Sequence, residues 1–257
     1  MHTRLSITLL GLFFLAAPAR AAHLSFCSEP GEGPPWFYVE KSANSAPVAA
    51  GFMVDVLTES FRRMGHQASF RTDLPWKRCL QLVAEGQVDF AFGAYYDPER
   101  AKRFAYSKPY KTLTPQIFYT SARPIQVSHV RELKRYRGCG MLGSSYLHYG
   151  LREGELDQGG HSYRAMINKL KAGRCDYFPE ELETIATLNL GRDAYLDDPA
   201  LRHQNIEGAQ APGLHLIAGI EKPAAKLLPA FNTIMENMQR AGELAPLWKK
   251  HAGNLPY

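Results

Sequence analysis

Arg100 has the sequence context of an anion-binding side chain. Asp97 and Pro98 suit the N-cap and first position of a helix, so Arg100 is expected in the first helical turn. The preceding run, residues 88–93, is typical of a short buried strand, and ligands of open α/β sheets bind beyond the carboxyl ends of such strands. Because a guanidinium can hold a carboxylate through two parallel hydrogen bonds, Arg100 is predicted to anchor a ligand carboxylate. The alternative interpretation is an ordinary surface arginine.

The sequence lacks the patterns that would place a metal ion, a phosphate group or an activated nucleophile. It contains no His-Glu-x-x-His pair, no nucleophile-elbow serine and no glycine-rich phosphate loop, and its nine histidines are scattered. Metal-dependent and acyl-transfer chemistry are therefore disfavoured, and no cofactor is expected. The formal charge of +5 is too small to indicate nucleic-acid binding, and the basic run 131–137 is interpreted as a solvated face.

Helices and strands alternate around the predicted anchor. Apolar residues recur at three- and four-residue spacing from Gly51 to Gly65, which predicts an amphipathic helix, and a strand is expected at residues 67–71. Trp76, Leu80 and Val83 mark one face of a second helix that ends near Gly86, before the strand at 88–93. This alternation indicates an α/β fold with a mostly parallel sheet covered by helices.

The middle of the chain repeats the same order of elements. A helix is predicted from 163 to about 171, Gly173 should end it, and a strand is expected at 175–178. Two equivalent lobes would explain the repeat, although a common helix-to-strand turn would also produce it. A loop is expected after Pro199, followed by a strand at 214–220 and closing helices that carry Leu227 to Trp248.

A return of the closing strand and helices to the first lobe would make the chain cross between lobes twice. The predicted boundaries are residues 22–112 with 213–257 for the first lobe and 113–212 for the second. A hinge is expected near residues 111–116 and 208–213.

The amino terminus has the layout of a cleavable secretory signal. Arg4 precedes an apolar stretch at residues 5–17, and Pro18 and small residues follow, so a signal peptide of residues 1–21 and a periplasmic destination are expected. Four cysteines in an oxidising compartment permit disulfides. Pairing within lobes, Cys27 with Cys79 and Cys139 with Cys175, is the simplest of three connectivities, and buried free thiols are the alternative.

The order of several short motifs resembles the family 3 extracellular solute-binding proteins. The motifs are Gly51-Phe-Met-Val-Asp55, Pro75-Trp-Lys-Arg78, Gly86-Gln-Val-Asp89, Asp97-Pro-Glu-Arg100 and Phe104-Ala-Tyr-Ser107-Lys-Pro109-Tyr110. The resemblance extends over essentially the whole chain after the signal peptide. It implies the two-lobe periplasmic-binding-protein fold of type II. It also implies a monomer that binds a small amino acid or a related carboxylate or amine and delivers it to the permease of an ABC importer.

The resemblance also implies which residues surround the ligand. Arg100 matches the arginine that binds the ligand's α-carboxylate, and Trp76 matches a ring that packs on the ligand side chain. Tyr95 and Tyr96 stand where small hydroxyl residues are usual. From the second lobe, Glu181, with Glu180 as its close rival, matches the carboxylate that pairs with the α-amino group.

Further candidates are weaker on sequence alone. Ser144 and Ser145 fit the loop that offers hydroxyl and backbone N–H groups to the ligand carboxylate, although helix capping would explain them equally well. Glu29 is a candidate for a second acidic wall, and Trp36 is a candidate for the cleft or for the core. A cyclohexadienyl-dehydratase-like enzyme is known on this architecture. Glu29 or Glu181 could serve as its general acid, so this enzyme is the alternative function.

Overall fold

The computed structural model describes residues 22–28, 34–42, 45–141, 146–152, 154–160, 162–189, 194–253, 255 and 257. The strands are β1 His23–Cys27, β2 Tyr38–Ser42, β3 Ser45–Ala50, β4 Gln67–Arg71, β5 Phe90–Ala94, β6 Phe104–Tyr106, β7 Lys111–Thr112, β8 Pro115–Thr120, β9 Gly138–Met141, β10 Leu156–Gly160, β11 Phe178–Glu181, β12 Leu201–Asn205 and β13 Gly213–Gly219. The α-helices are α1 Phe52–Arg63, α2 Trp76–Glu85, α3 Tyr163–Lys171, α4 Leu182–Asn189, α5 Leu228–Arg240 and α6 Leu244–Ala252. Short 3-10 helices cover Arg100–Lys102, Val130–Arg135, Leu147–Tyr149 and Pro223–Leu227.

A six-stranded sheet organises the first lobe. Its strand order is β4-β1-β5-β13-β6, with β7 also paired to β13. β1 runs parallel to β4 and to β5, whereas β13 is antiparallel to β5, β6 and β7. The parallel strands at its centre follow the alternation of helices and strands in the sequence, because a parallel connection needs a crossover helix.

The first-lobe sheet lies between two layers of helices. On β5, Phe90 and Phe92 pack into the cluster formed with α1, α5 and α6, while Ala91 and Ala94 pack into the cluster formed with α2. Both faces of the strand are therefore apolar, which explains its continuous hydrophobic run. Gly86 ends α2 with φ of 79°, a left-handed conformation that favours glycine over any residue with a Cβ.

The second lobe contains the antiparallel sheet β11-β8-β12 and the parallel pair β10-β9. Phe118 on β8 and Phe178 on β11 stack with centroids 4.9 Å apart, and α3 and α4 pack on the same side. Two expectations from the sequence differ here. The strand expected at 175–178 begins only at Phe178 and continues to Glu181, and the expected loop after Pro199 contains β12.

Two adjacent segments connect the lobes. Residues 113–114 lead from β7 to β8, and residues 206–212 lead from β12 to β13. The segments touch, since the Leu113 N–H donates to the Pro212 carbonyl at 2.9 Å. Among the described residues, no helix has the length and apolar character needed to cross a bilayer.

Each lobe contains one disulfide in the structure. Cys27 on β1 is joined to Cys79 on α2, and Cys139 on β9 is joined to Cys175 after α3. All four cysteines are buried. The first bond ties a strand to the helix that covers it, and the second ties a strand to the turn that follows a helix.

Candidate ligand-binding site

Arg100 lies beyond the carboxyl end of β5, at the start of a 3-10 turn. Its N–H donates to Asp97 Oδ1 at 2.7 Å, so Asp97 fixes the turn as a side-chain cap. The Arg100 Nη1 donates to the Tyr95 carbonyl at 2.9 Å, and the guanidinium carbon lies 5.8 Å from the centroid of the Trp76 ring. The turn has only three residues, so the positive potential at this place comes from the guanidinium rather than from an aligned helix.

Aromatic side chains line the same end of the first-lobe sheet. Tyr96 is exposed and lies 5.3 Å from the Tyr106 ring, which in turn lies 5.5 Å from the ring of His215. The His215 Nδ1 donates to the Ser107 carbonyl at 2.8 Å, and burial lowers the pKa of this histidine, which favours the neutral ring. Neither His215 nor Tyr106 is predicted as a site residue from the sequence, because β13 pairs with β5 and β6 only in the tertiary fold.

Two adjacent carboxylates form the second-lobe side of the candidate site. Glu180 and Glu181 end β11 and are only 6% and 2% exposed. The Tyr163 hydroxyl donates to Glu180 Oε2 at 2.9 Å, and the Glu181 N–H donates to Glu180 Oε1 at 3.1 Å. The His148 Nε2 lies 2.7 Å from Glu181 Oε1. Both carboxylates therefore have polar partners within their own lobe.

A single tyrosine connects the two sides of the site. The Tyr95 hydroxyl donates to Glu181 Oε2 at 3.3 Å, while the Tyr95 carbonyl accepts the hydrogen bond from Arg100. The structure thus brings Arg100, Trp76, Tyr95 and Glu181 into one connected group that spans the lobes. His148 and Tyr163, which no sequence motif marks as site residues, complete the group.

The pKa values of the two carboxyl groups are shifted in opposite directions. Burial and the negative charge of Glu181 raise the pKa of Glu180 well above its usual value. Burial alone would also raise the pKa of Glu181, but the hydrogen bonds from His148 and from the Glu180 carboxyl lower it. The opposite shifts favour the protonated form of Glu180 and the ionised form of Glu181. The pKa of the Tyr95 hydroxyl is raised by burial and by these carboxylates, so Tyr95 remains a neutral donor.

The remaining predicted site residues are distributed differently. Glu29, Ser144 and Ser145 lie outside the described residues. Trp36 packs into the first-lobe core, where its ring lies 4.8 Å from Trp248 and 6.4 Å from Phe52. This packing makes Trp36 part of the first-lobe core. A contact between Trp36 and the ligand stays a prediction.

A buried ion pair joins the lobes behind the candidate site. Lys111 on β7 lies 3.9 Å from Glu183 on α4, and both side chains are about one-tenth exposed. The Glu183 carboxylate also accepts hydrogen bonds from the Thr114 N–H at 2.8 Å and from the Thr114 hydroxyl at 2.9 Å. The Lys111 ammonium lies over the rings of Trp248 and Tyr257, at 5.4 and 4.7 Å from their centroids. Lys111, Thr114, Glu183 and Tyr257 line a cavity of about 100 Å³ beside the first crossing between the lobes.

The described residues contain no group of three or more histidine, cysteine, aspartate or glutamate side chains arranged to hold a metal ion. The candidate site contains a guanidinium, a carboxylate and aromatic rings. Such a set can bind opposite charges on one small molecule and pack against its apolar part.

Comparison with solved structures places the fold among substrate-binding proteins of transporters. A putative binding component of an ABC transporter from Wolinella succinogenes, complexed with lysine, superposes with a TM-score of 0.69 at 17% identity, covering 91% of this chain and 97% of that chain. An arginine transport system periplasmic binding protein from Legionella pneumophila gives 0.64 at 18% identity, covering 90% and 100%. A substrate-binding protein of an amino acid ABC transporter from Streptococcus pneumoniae, bound to L-arginine, gives 0.62 at 18% identity, covering 89% and 94%.

A search of curated protein sequences found no match. The family model of the bacterial extracellular solute-binding proteins, family 3, matches residues 25–254, which is nearly all of the chain. The predicted two-lobe α/β fold is confirmed by the structural comparisons. The match over this length shows that the chain belongs to the bacterial extracellular solute-binding proteins, family 3.

Proposed function

We propose that this protein captures a small amino-acid-like ligand between its lobes and delivers it to the permease of an ABC importer. One observation carries the proposal. The Tyr95 backbone carbonyl accepts a hydrogen bond from Arg100 and the Tyr95 hydroxyl donates to Glu181, so a cation and an anion contact opposite ends of one residue. A zwitterion has the complementary arrangement of charges. Family membership and the transporter proteins of similar fold support the same role.

The residues take distinct roles in this proposal. Arg100 binds the ligand carboxylate through the N–H donors that Tyr95 does not use, and Trp76 supplies an apolar wall beside it. Glu181 binds the ligand's ammonium group when the Tyr95 hydroxyl gives up its contact. Glu29, Ser144, Ser145 and Trp36 are proposed as further contacts on the basis of the sequence resemblance.

Lysine and arginine are the first ligands to test. The proteins of similar fold from Wolinella succinogenes and Streptococcus pneumoniae are complexed with these two amino acids. In this chain, the carboxylate pair and the surrounding rings favour a cationic group, since an ammonium or guanidinium gains from both a carboxylate and an aromatic face.

We further propose that the protein acts as a periplasmic monomer after removal of residues 1–21, and that it is not an enzyme. The lobes, residues 22–112 with 213–257 and residues 113–212, would close about the hinge at 111–116 and 208–213. The Tyr95 contact with Glu181 lies across this closure and supports it. Small-angle scattering with a tight ligand should give a smaller radius of gyration than the free protein, and an unchanged radius would count against closure.

Ligand screening tests the proposed function directly. Thermal-shift assays with the amino acids, polyamines and small carboxylates should find a stabilising ligand, and calorimetry should confirm binding at one site. Mass spectrometry of the recovered ligand should show that it is chemically unchanged. Conversion of a prephenate-like acid would instead support the dehydratase alternative, and stabilisation by none of these compounds would refute the proposal.

A further inference from the structure

The hydroxyl group of Tyr106 lies beside Arg100 without a hydrogen-bond partner. Tyr106 is the last residue of β6, which pairs with β13 in the first-lobe sheet. Its hydroxyl oxygen is buried, and within the described part of the chain it makes no hydrogen bond. The oxygen is close enough to the Arg100 guanidinium and to the Asp97 N–H to interact with both, but neither contact has the geometry of a hydrogen bond.

The group that the Tyr106 hydroxyl lacks is an acceptor. A phenol donates one hydrogen and can accept others, whereas a guanidinium and a backbone N–H can only donate. Arg100 and the Asp97 N–H can therefore approach the Tyr106 oxygen but cannot receive its hydrogen. Leaving a buried donor unpaired is unfavourable, and most such groups in proteins have a partner. An acceptor that does not belong to the protein would satisfy this one.

The side chains around Tyr106 hold its ring but do not accept its hydrogen. The rings of Tyr96 and His215 meet the Tyr106 ring edge-on, with centroids 5.3 and 5.5 Å away. The Asp97 carboxylate accepts instead from the Arg100 N–H, at 2.7 Å. Among the residues that the structure describes, packing thus fixes the ring of Tyr106 while its hydroxyl hydrogen has no acceptor.

A carboxylate bound to Arg100 would supply that acceptor. It has two oxygen atoms with several lone pairs, so it can take two hydrogens from the guanidinium and still accept one from a phenol. We propose that Tyr106 is a ligand-binding residue whose hydroxyl donates to the carboxylate held by Arg100. The inference rests on the proposed function. Tyr96, which is exposed and packs against Tyr106, is the side chain that moves aside to admit the carboxylate.

This arrangement restricts the chemical class of the ligand. Arg100 and Tyr106 both present hydrogens, so the bound group must offer an acceptor to each of them. A carboxamide replaces one carboxylate oxygen by an NH2 group, which would face a donor and leave that donor unpaired. The site should therefore bind molecules with a free carboxylate and discriminate against their amides. The sequence resemblance gives Tyr106 no role at the ligand.

Calorimetry with L-lysine, L-arginine and the amides of both tests this assignment. Tyr106→Phe removes the hydroxyl and keeps the ring. Its affinity for the two amino acids should fall by about tenfold to a hundredfold, as expected for loss of a hydrogen bond to a charged acceptor. Its preference for the acid over the amide should also decrease, because one of the donors that disfavour the amide is gone. Unchanged affinity in Tyr106→Phe would overturn the inference.

Urea denaturation of the free protein separates a ligand contact from a structural role. Because no hydrogen bond to the Tyr106 hydroxyl is present among the described residues, Tyr106→Phe should not lower the free energy of unfolding. Tyr136→Phe is the matched control, since the hydroxyl of this half-buried tyrosine in the second lobe contacts the N–H and the carbonyl of Gln126 at 3.2 and 3.4 Å. Tyr136→Phe should lower the free energy of unfolding and leave affinity unchanged. An equal loss of stability in Tyr106→Phe would indicate a structural hydroxyl and would contradict the proposal.

The variant Arg100→Lys distinguishes a direct contact from an effect that acts through Arg100. If the Tyr106 hydroxyl donates to the ligand, Tyr106→Phe should lower affinity in the Arg100→Lys background as well. If the hydroxyl only orients the guanidinium, the effect should disappear in that background, and the proposal is refuted. Failure of the wild-type protein to bind either amino acid would count against the proposed function itself. Binding that Tyr106→Phe leaves unchanged would refute the present inference alone.

Discussion

Replacing Arg100 by alanine should abolish tight ligand binding while leaving the fold intact. The guanidinium lies beside Trp76 at the carboxyl end of β5, and Tyr95 uses only one of its N–H donors in the described contacts. The Tyr106 hydroxyl also interacts with the guanidinium, and the donors that face neither tyrosine are proposed to hold a ligand carboxylate. Arg100→Ala removes all of them and leaves the carboxylate without a cationic partner.

The expected loss of affinity is much larger than the expected loss of stability. Truncation of one partner of a buried charge-assisted pair costs about 2–5 kcal/mol of binding free energy, or about 30-fold to several thousandfold in affinity. In the free protein the change removes one hydrogen bond to the Tyr95 carbonyl, one contact with the Trp76 ring and an interaction with the Tyr106 hydroxyl. Each is worth about 1 kcal/mol or less at a partly exposed site.

Isothermal titration calorimetry and urea denaturation separate these two effects. Arg100→Lys should bind with intermediate affinity, because an ammonium retains the charge but not the planar pair of donors. Arg103→Ala is the matched control, since Arg103 is exposed and its guanidinium also lies 5.8 Å from a ring, that of Phe104. Its affinity should change by less than about threefold, because exposed charges are screened.

A folded Arg100→Ala protein with unchanged affinity would refute the site assignment. Equal losses in Arg100→Ala and Arg103→Ala would indicate a general effect of net charge instead of carboxylate recognition. Equal affinity in Arg100→Lys and the wild type would indicate that the bidentate contact does not form.

Two further predictions concern stability, and a third concerns the disulfides. Glu183→Gln should lower the free energy of unfolding by about 2–3 kcal/mol, because Glu183 accepts two hydrogen bonds from Thr114 and pairs with Lys111. Urea denaturation of Glu183→Gln, Lys111→Met and the double variant should show that the two changes in unfolding free energy are coupled. Strictly additive changes would contradict the ion pair. The pKa of Glu180 is raised in the folded protein, so its contribution to stability is complete below the unfolded pKa of about 4.3 and is lost as pH rises through the folded pKa. The free energy of unfolding of the wild type should therefore fall relative to that of Glu180→Gln between pH 5 and pH 8. A constant difference between the two proteins would contradict this. Peptide mapping without reduction should find Cys27 linked to Cys79 and Cys139 linked to Cys175, whereas four alkylatable thiols in protein from an oxidising compartment would exclude both disulfides.

The elements that could be predicted from the sequence are those whose burial repeats with a regular period. α1, α2, α3 and β5 show this pattern because one face, or both, packs against the core. β12 has the sequence Leu-Arg-His-Gln-Asn and is mostly exposed, so nothing local distinguishes it from a loop. Its strand conformation comes from pairing with β8, which joins residues distant in the sequence.

The candidate site was predictable to the extent that its residues occur in motifs. Arg100, Trp76, Tyr95 and Glu181 were identified by resemblance, and the structure brings them together. His148 could not be identified, since its significance comes from contacts with Glu181 and Tyr95. Tyr163 was interpreted only as part of an apolar helix face, although its hydroxyl contacts Glu180. Trp36 follows two prolines and packs in the core, which the local sequence does not indicate.

The position of β13 has a consequence for the order in which the lobes can fold. β13 lies between β5 and β6 in the first-lobe sheet, yet the chain reaches it only after the whole second lobe. During synthesis from the amino terminus, β5 therefore has an unpaired edge, and β6 has no neighbour, until residue 219 is available. The strands of the second lobe are contiguous in sequence, between Pro115 and Asn205, and their pairing requires no residue from the first lobe. Closing the long loop between β5 and β13 costs entropy before it yields contacts. We therefore expect the sheet of the first lobe to be completed after that of the second lobe, although most of the first lobe is synthesised earlier.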